Sequence, residues 1–172
     1  MQQDHLIFTE LVLQPSAGEY VVIKNPTASD VDLADYYITD ATDAVNGKYY
    51  YQLPGGADYW SGSGSDFIVR FPDISLPAGE SLVLSLGRDS DYYSEYGTYP
   101  DLYMTGSGTD TMRYAVAGQP TIGGSPNAKL DNSQRDPGAV LLGRQCRHGA
   151  GCRLPDLGRH DLRCGQKRRQ RV

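Results

Sequence analysis

Short runs of alternating apolar and polar residues, each followed by a glycine or proline turn, constrain the fold of this chain most. Residues 67–71 and 81–86 are the clearest of these runs. The apolar residues that share a face are Phe67, Val69 and Phe71 in the first run and Leu82, Leu84 and Leu86 in the second. A period of two residues is typical of a β-strand with one buried face. Because 20 glycines and 10 prolines interrupt the chain, we predict an all-β fold of short strands joined by tight turns.

The remaining segments extend this pattern and add one helix. Residues 5–13 carry apolar side chains on both faces, as a buried strand does, and residues 19–24 end at Asn25-Pro26, where proline cannot continue the pairing. We predict further strands at residues 31–33, 36–39, 48–53, 101–104 and 113–116. Residues 89–96 are predicted to form a short helix, and the Gly- and Ser-rich residues 55–66 a surface loop.

Charge divides the chain at about residue 133. Residues 1–133 hold 18 acidic and 6 basic side chains, a net charge of −12, whereas residues 134–172 hold 3 acidic and 10 basic ones, a net charge of +7. The alternation of apolar residues also stops there. We therefore predict one domain of residues 1–133, long enough for a single core, and a basic tail of residues 134–172.

Two explanations of the basic tail stay open. A basic arm can bind nucleic acid by releasing counterions, and residues 166–171 would be its strongest part. The explanation that we favour is a frameshift. When the tail is back-translated and the reading frame is moved by one nucleotide, the new amino-acid sequence has an apolar strand pattern and a Trp-Asp-Gly turn. In that case the tail is irregular and poorly ordered, nucleic acid is not a partner, and the lost closing strands leave a sheet edge exposed.

The positions of the cysteines and the lengths of the apolar runs indicate whether the chain needs disulfides, carries an export signal or spans a membrane. All 3 cysteines lie in the tail, so the predicted domain needs no disulfide. The first residues lack the basic start of a signal peptide, and no apolar run reaches the length of about 18 residues that a membrane span needs. We expect no membrane span, and we expect that any export signal lies upstream of this sequence.

Four motifs follow one another along the chain: Phe8-Thr9-Glu10-Leu11, residues 18–27, residues 31–40 and Leu76-Pro77-Ala78-Gly79-Glu80. In this order they resemble the lamin-tail domain family. Val22 stands where the family commonly has an acidic residue. The resemblance implies an Ig-like antiparallel β-sandwich, a fold that occurs as single modules in bacterial exported proteins. Independently of the family, Asn25 can bond its own turn, Pro26 fixes φ, and Leu33 returns to the core, so we expect these residues to serve folding rather than catalysis.

Aromatic side chains supply the candidate ligand-binding residues. Tyr59 and Trp60 lie in the predicted surface loop, and Tyr92 and Tyr93 lie in the predicted helix. An aromatic ring with a polar atom offers the flat apolar face that protein or sugar recognition requires. We select these four residues as candidates. Packing in the core or at its rim is the alternative for each of them.

Metal and catalytic sites have less support. Asp40, Asp43 and Asn46 place oxygen ligands in one short stretch, as calcium requires, with a solvated hairpin loop as the alternative. The Cys and His residues of the tail lack the Cys-x-x-Cys pair of a zinc site. His5 is the only histidine outside the tail, and no serine stands in a Gly-x-Ser-x-Gly turn. We therefore predict no enzymatic activity and no cofactor other than calcium.

Two function hypotheses follow. The first is a non-catalytic interaction module for adhesion or anchoring, part of a larger exported bacterial protein, which meets a protein or a cell-surface glycan outside the cell. The second is a carbohydrate- or calcium-binding module that uses the aromatic and acidic loops. A calcium-dependent rise in melting temperature, or quenching of Trp60 fluorescence by glycans, would favour the second.

Overall fold

The structure, a computed structural model, describes residues 4–40, 67–115 and 130, and the backbone alone of residues 141–144. The described part consists of short strands, one 3-10 turn (Ser16–Gly18) and one α-helix. In chain order these are β1 Ile7–Val12, β2 Tyr20–Lys24, β3 Val31–Asp32, β4 Tyr36–Thr39, β5 Ile68–Arg70, β6 Ser75–Leu76, β7 Ser81–Ser85, α1 Asp89–Tyr96, β8 Leu102–Tyr103, β9 Arg113–Tyr114 and β10 Leu141–Arg144. The predicted strand at 48–53 and the loop at 55–66 lie outside this part.

The strands form two four-stranded sheets and one two-stranded pair. The first sheet has the order β1-β2-β7-β8, the second has the order β10-β4-β5-β9, and β3 pairs with β6. The second sheet and the β3–β6 pair are antiparallel throughout, whereas β7 and β8 run parallel. The predicted all-β, Ig-like class is confirmed, with this one parallel pair as a difference. It arises because the chain crosses over through α1 between β7 and β8, so that β8 returns in the same direction.

The two large sheets enclose a common core. Both predicted inward faces, that of residues 67–71 and that of residues 81–86, are buried in it, as the alternation predicted. Other members come from both sheets and from the β3–β4 turn, among them Val21, Ile23, Leu33, Ile38, Leu102 and Met104. Removing a side chain of this size from water stabilises a fold by about 1.5–3 kcal/mol. The core therefore holds the two sheets together, and the loops and α1 lie outside it.

Asn25 joins two turns at one end of the sandwich. Its side chain is fully buried, and its amide nitrogen donates to the carbonyl oxygens of Leu76 and Ser29, each at 2.9 Å, and of Pro77 at 3.1 Å. Its side-chain oxygen accepts from the backbone N–H and the hydroxyl of Thr27 at 3.1 and 2.7 Å. The Asn-Pro motif therefore does more than shape its own turn, because it ties the end of β2 to the turn after β6.

Glu19 connects the start of β2 to a distant part of the chain. This carboxylate is buried, and its Oε2 accepts the backbone N–H of Leu130 at 3.1 Å. The backbone oxygen of Glu19 accepts from the N–H of Leu86 at 2.9 Å. A hydrogen bond is stronger in a low-dielectric interior than in water. Leu130, which packs against the core, is thereby held in place.

The segment that the sequence predicts to be an irregular tail contains one described element. Residues Leu141–Arg144 form β10, whose four backbone positions pair antiparallel with β4 from Thr39 to Tyr36. The sequence places the domain boundary at 133, eight residues before this strand. The rest of the tail lies outside the described residues, so its predicted disorder and its frameshift origin stay predictions.

Candidate interaction surface

Helix α1 begins and ends at residues whose chemistry suits those places. Asp89 and Asp91 stand in its first turn, where carboxylates favour the positive end of the helix dipole. Gly97 ends it with a φ of 71°, and the Gly97 N–H donates to the carbonyl oxygen of Tyr93 at 2.8 Å. Glycine adopts this left-handed conformation without the strain that a side chain would add. The chain therefore reverses here, and Tyr99 comes back beside the helix.

One face of α1 packs on the first sheet through three tyrosines, which we call the tyrosine clasp: Tyr20, Tyr92 and Tyr96. Tyr20 meets Tyr92 and Tyr96 edge to face, with ring centroids 5.5 and 5.4 Å apart, and Tyr92 lies 4.6 Å from Tyr96. Residues four apart share one face of a helix, which is why Tyr92 and Tyr96 both reach Tyr20. Such a ring pair contributes about 0.5–1.5 kcal/mol beyond its buried area.

A glycine allows the clasp to close. The hydroxyl of Tyr96 donates to the carbonyl oxygen of Gly18 at 3.0 Å. A Cβ at position 18 would lie 2.9 Å from Cε2 of Tyr96 and 3.0 Å from its hydroxyl oxygen. The first distance is shorter than real Cβ atoms show and the second is unusually tight, so a side chain at position 18 would displace the Tyr96 ring from this position.

Replacing Gly18 with alanine should therefore loosen α1. We expect a loss of about 1–2 kcal/mol in the free energy of unfolding, because the Tyr96 ring must leave its hydrogen bond and its edge contact with Tyr20. Urea denaturation of the G18A, Y96A and double variants measures this. In the Y96A background the added methyl group has no ring to displace and meets only Cγ of Glu95, at 3.1 Å, so G18A should cost less there. Equal costs in both backgrounds would contradict the proposed contact.

A residue of the edge strand β1 holds the hydroxyl of Tyr20. It donates to Oε1 of Glu10 at 2.7 Å. This hydrogen bond, followed by burial and by the negative charge of Glu10, raises the pKa of Tyr20 from 10.0 to about 12. Burial, and next the charge of a neighbouring ionisable group, also raises the pKa of Tyr92 and of Tyr96. The clasp thus favours uncharged tyrosines.

This shift makes stability sensitive to alkali. Because the pKa of Tyr20 is higher in the folded state, its contribution is complete below pH 10.0 and is lost as the pH rises through about 12. Unfolding free energies measured from pH 9 upward should fall less steeply in Y20F than in the unchanged protein. In a pH titration followed by tyrosinate absorbance, Y20F should likewise show one fewer tyrosine that ionises at high pH. Identical slopes for the two proteins would show that Tyr20 titrates normally.

An adjoining face of α1 carries an exposed aromatic surface. Tyr93 stacks on Tyr99 with a centroid distance of 4.6 Å and an interplanar angle of 27°. Tyr93 is 45% exposed and Tyr99 is 65% exposed. We call these two residues the tyrosine pair. Large apolar groups that meet on a surface mark contact sites more often than single exposed ones do.

Carboxylates surround the tyrosine pair along the chain. Residues 88–101 contain four acidic side chains, Asp89, Asp91, Glu95 and Asp101, and one basic side chain, Arg88. Asp89 precedes Tyr93 by four residues, so the two are neighbours on the helix surface. Asp101 follows Tyr99 by two residues and is held by the backbone N–H of Val83, which it accepts at 2.7 Å. Asp89 therefore places a carboxylate beside the pair, within a segment of net negative charge.

The candidate ligand-binding residues have different positions. Tyr92 is buried and packs in the tyrosine clasp. Tyr93 is exposed in the tyrosine pair. Tyr59 and Trp60 lie outside the described residues. The stacking of Tyr99 on Tyr93 was not predicted, although Gly97 between them marks the reversal that brings them together. Consecutive helical residues point about 100° apart, which is why Tyr92 and Tyr93 cannot share a face.

Of the candidate calcium residues, Asp40 alone is described. Its Oδ1 accepts the backbone N–H of Phe67 at 2.8 Å, at the start of the run that forms β5. Asp43 and Asn46 lie outside the described residues. Within residues 4–40 and 67–115 no three His, Cys, Asp or Glu side chains are grouped as a metal site requires. The calcium hypothesis thus stays a prediction about the loop after Asp40.

The two tyrosine groups differ in what they offer at the surface. The clasp holds neutral tyrosines with raised pKa values, and the tyrosine pair offers ring surface with acidic neighbours. His5, the histidine of the predicted domain, is partly exposed and contacts Asp4 at 2.8 Å. Among the described helices none is long and apolar enough to cross a membrane.

One of three comparisons with known proteins found a match. Searches of curated proteins and of solved structures found none. A family model described as Lamin Tail Domain matches residues 1–141, which is more than four fifths of the 172 residues. The match covers every described strand from β1 to β9, the helix with both tyrosine groups, and the first residue of β10. The chain therefore belongs to the lamin tail domain family.

Proposed function

We propose that this chain is a non-catalytic adhesion or anchoring module of a larger exported bacterial protein, and that it meets a protein partner through the tyrosine pair. Lamin tail domains are Ig-like domains of a non-catalytic type that are generally involved in interactions. The partner, the export and the cell-surface location are our proposal. They rest on the occurrence of bacterial lamin-tail modules in exported proteins and on the surface described above.

The exposed stack of Tyr93 on Tyr99 is the observation that carries this proposal. Tyrosine is enriched at protein interfaces because it provides apolar area with few rotatable bonds. Two rings that are already stacked lose less side-chain freedom on binding than two independent ones. The helix that carries Tyr93 is itself fastened to the sheet by the tyrosine clasp. A rigid aromatic surface of this kind suits binding.

A retention assay on bacterial cell envelopes tests the proposal. The domain, fluorescently labelled at its N-terminus, is incubated with isolated envelopes of the source bacterium, and the retained fraction is measured. The Y93A/Y99A double variant should be retained at least ten-fold less than the unchanged domain. Y114A is the matched control, because Tyr114 is 46% exposed and lies in β9 of the other sheet. Its retention should be unchanged.

Pretreatment of the envelopes identifies the class of partner. Protease digestion should abolish retention, whereas periodate oxidation of sugars should leave it intact. The reverse pattern would support the glycan alternative through the same two rings. Retention that is equal for the unchanged domain and the Y93A/Y99A variant would contradict the proposal for this surface.

A further inference from the structure

The charge around the tyrosine pair specifies the kind of partner. We propose that the pair, together with Asp89 of α1, binds an arginine-bearing, positively charged segment of the partner protein. This inference rests on the proposed function and adds the chemistry of the ligand. Its three grounds are the ring surface, the local charge and the rigid support of the helix.

The rings favour a cation over an anion. An aromatic face carries partial negative charge, so a guanidinium or ammonium group above it is attracted. The stack uses one face of each ring, and an exposure of 65% leaves most of Tyr99 in contact with solvent. A guanidinium group is planar and less strongly hydrated than an ammonium group, and it can lie flat on a ring. The pair should therefore prefer arginine to lysine.

The carboxylates act in the same direction. Residues 88–101 carry four acidic groups against Arg88 alone, a net charge of −3. Asp89 is one helical turn from Tyr93, so a cation over that ring also lies near a carboxylate. Residues 1–133, with a net charge of −12, add a longer-range field that attracts cations and repels nucleic acids and other polyanions. A neutral glycan would gain from the rings but not from these charges.

The helix keeps the two kinds of group together. Helix α1 has eight residues, which is too few for a stable helix in isolation. The tyrosine clasp and the contact at Gly18 hold it on the sheet. The position of Asp89 relative to Tyr93 is therefore set before a ligand arrives, and binding does not need to order the helix.

NMR titration with synthetic peptides tests this inference. Three eight-residue peptides carry arginine, lysine or citrulline at alternate positions, with glycine and serine elsewhere. Citrulline keeps the planar end group of arginine and removes its charge. The arginine peptide should shift the ring signals of Tyr93 and Tyr99, with several-fold weaker binding for lysine and at least ten-fold weaker binding for citrulline. Y99A should weaken arginine binding about ten-fold, D89N should weaken it several-fold, and Y114A should leave it unchanged.

Several results would overturn the inference. They are equal affinities for the citrulline and arginine peptides, shifts confined to residues away from Tyr93 and Tyr99, and an unchanged affinity in Y99A. Shifts of the two rings by a neutral chitin or maltose oligosaccharide, without shifts by the arginine peptide, would assign the surface to glycans. If the envelope assay depends on the tyrosine pair while the arginine peptide does not bind, the proposed function holds and the ligand class is wrong. Arginine binding without envelope retention would support the ligand class and contradict the proposed function.

Discussion

Replacing Asn25 with aspartate is expected to destabilise the domain by about 3–5 kcal/mol at pH 7, because an unpaired charge would then be buried. The amide nitrogen of Asn25 donates to three carbonyl oxygens, and a carboxylate oxygen in its place would repel all three. The change is nearly isosteric, so the loss would come from hydrogen bonding and charge rather than from packing. Urea denaturation of N25D measures it. A loss of this size is a large part of the stability of an ordinary domain.

The pH dependence of the stability of N25D distinguishes charge repulsion from a general disruption of packing. Burial and the three carbonyls should raise the pKa of the introduced carboxyl above its unfolded value. The penalty should therefore shrink as the pH falls and the carboxyl takes up a proton. Asp30→Asn is the matched control, since Oδ1 of Asp30 accepts from the N–H of Ala78 at 3.0 Å in an exposed link between the same two turns. That variant keeps an acceptor and should lose less than about 1 kcal/mol. A similarly small loss in N25D would contradict the role of Asn25.

Truncating Phe67 to alanine should cost about 3–5 kcal/mol, because a large cavity would replace a ring in the centre of the core. Phe67 is fully buried. Its backbone is also fixed on both sides, since its N–H donates to Asp40 and its carbonyl oxygen accepts the hydroxyl of Thr39 at 2.7 Å. The strand cannot move inward to fill the cavity without breaking these bonds. The loss in free energy of unfolding is measured by urea denaturation.

Two further variants serve as controls for this cavity. Phe67→Leu keeps most of the volume and should lose about half as much stability or less. Tyr114→Ala removes an aromatic ring of similar size from an exposed position and should change stability by less than about 1 kcal/mol. If F67A and Y114A were equally stable, the core would not lie where the structure places it.

The local parts of the fold could be predicted from the sequence because they follow from neighbouring residues. Helix α1 runs from Asp89 to Tyr96, as predicted, since its acidic first turn and the glycine after it are both visible in the sequence. The burial of Phe67 and Leu84 follows from alternation alone. In each case the pattern that decides the structure spans fewer than about ten residues.

The distant contacts could not be predicted in this way. The bond from Asn25 to the carbonyl of Leu76 joins residues 51 apart, and the bond from Tyr96 to Gly18 joins residues 78 apart. Neither pair leaves a periodic pattern, because each depends on how two sheets and a helix meet. The parallel pairing of β7 with β8 has the same origin, since it depends on the path of the chain through α1.

Folding and binding are linked through the helix. The tyrosine clasp and Gly18 hold the inner face of α1, and Tyr93 on its outer face stacks on Tyr99. Changes on the inner face should therefore weaken binding indirectly by displacing the pair, whereas changes at Tyr99 should weaken binding and leave stability almost unaltered. This difference distinguishes residues that position the surface from residues that contact the partner.

The most direct test of the central claim is a footprint of the tyrosines in the bound state. The domain is exposed to hydroxyl radicals when free and when retained on cell envelopes, and oxidation of each tyrosine is quantified by mass spectrometry. We predict that oxidation of Tyr93 and Tyr99 falls at least several-fold on binding, while oxidation of Tyr114, on the other sheet, stays the same. If the retained domain shows Tyr93 and Tyr99 as reactive as in the free state, the tyrosine pair is not the interaction surface.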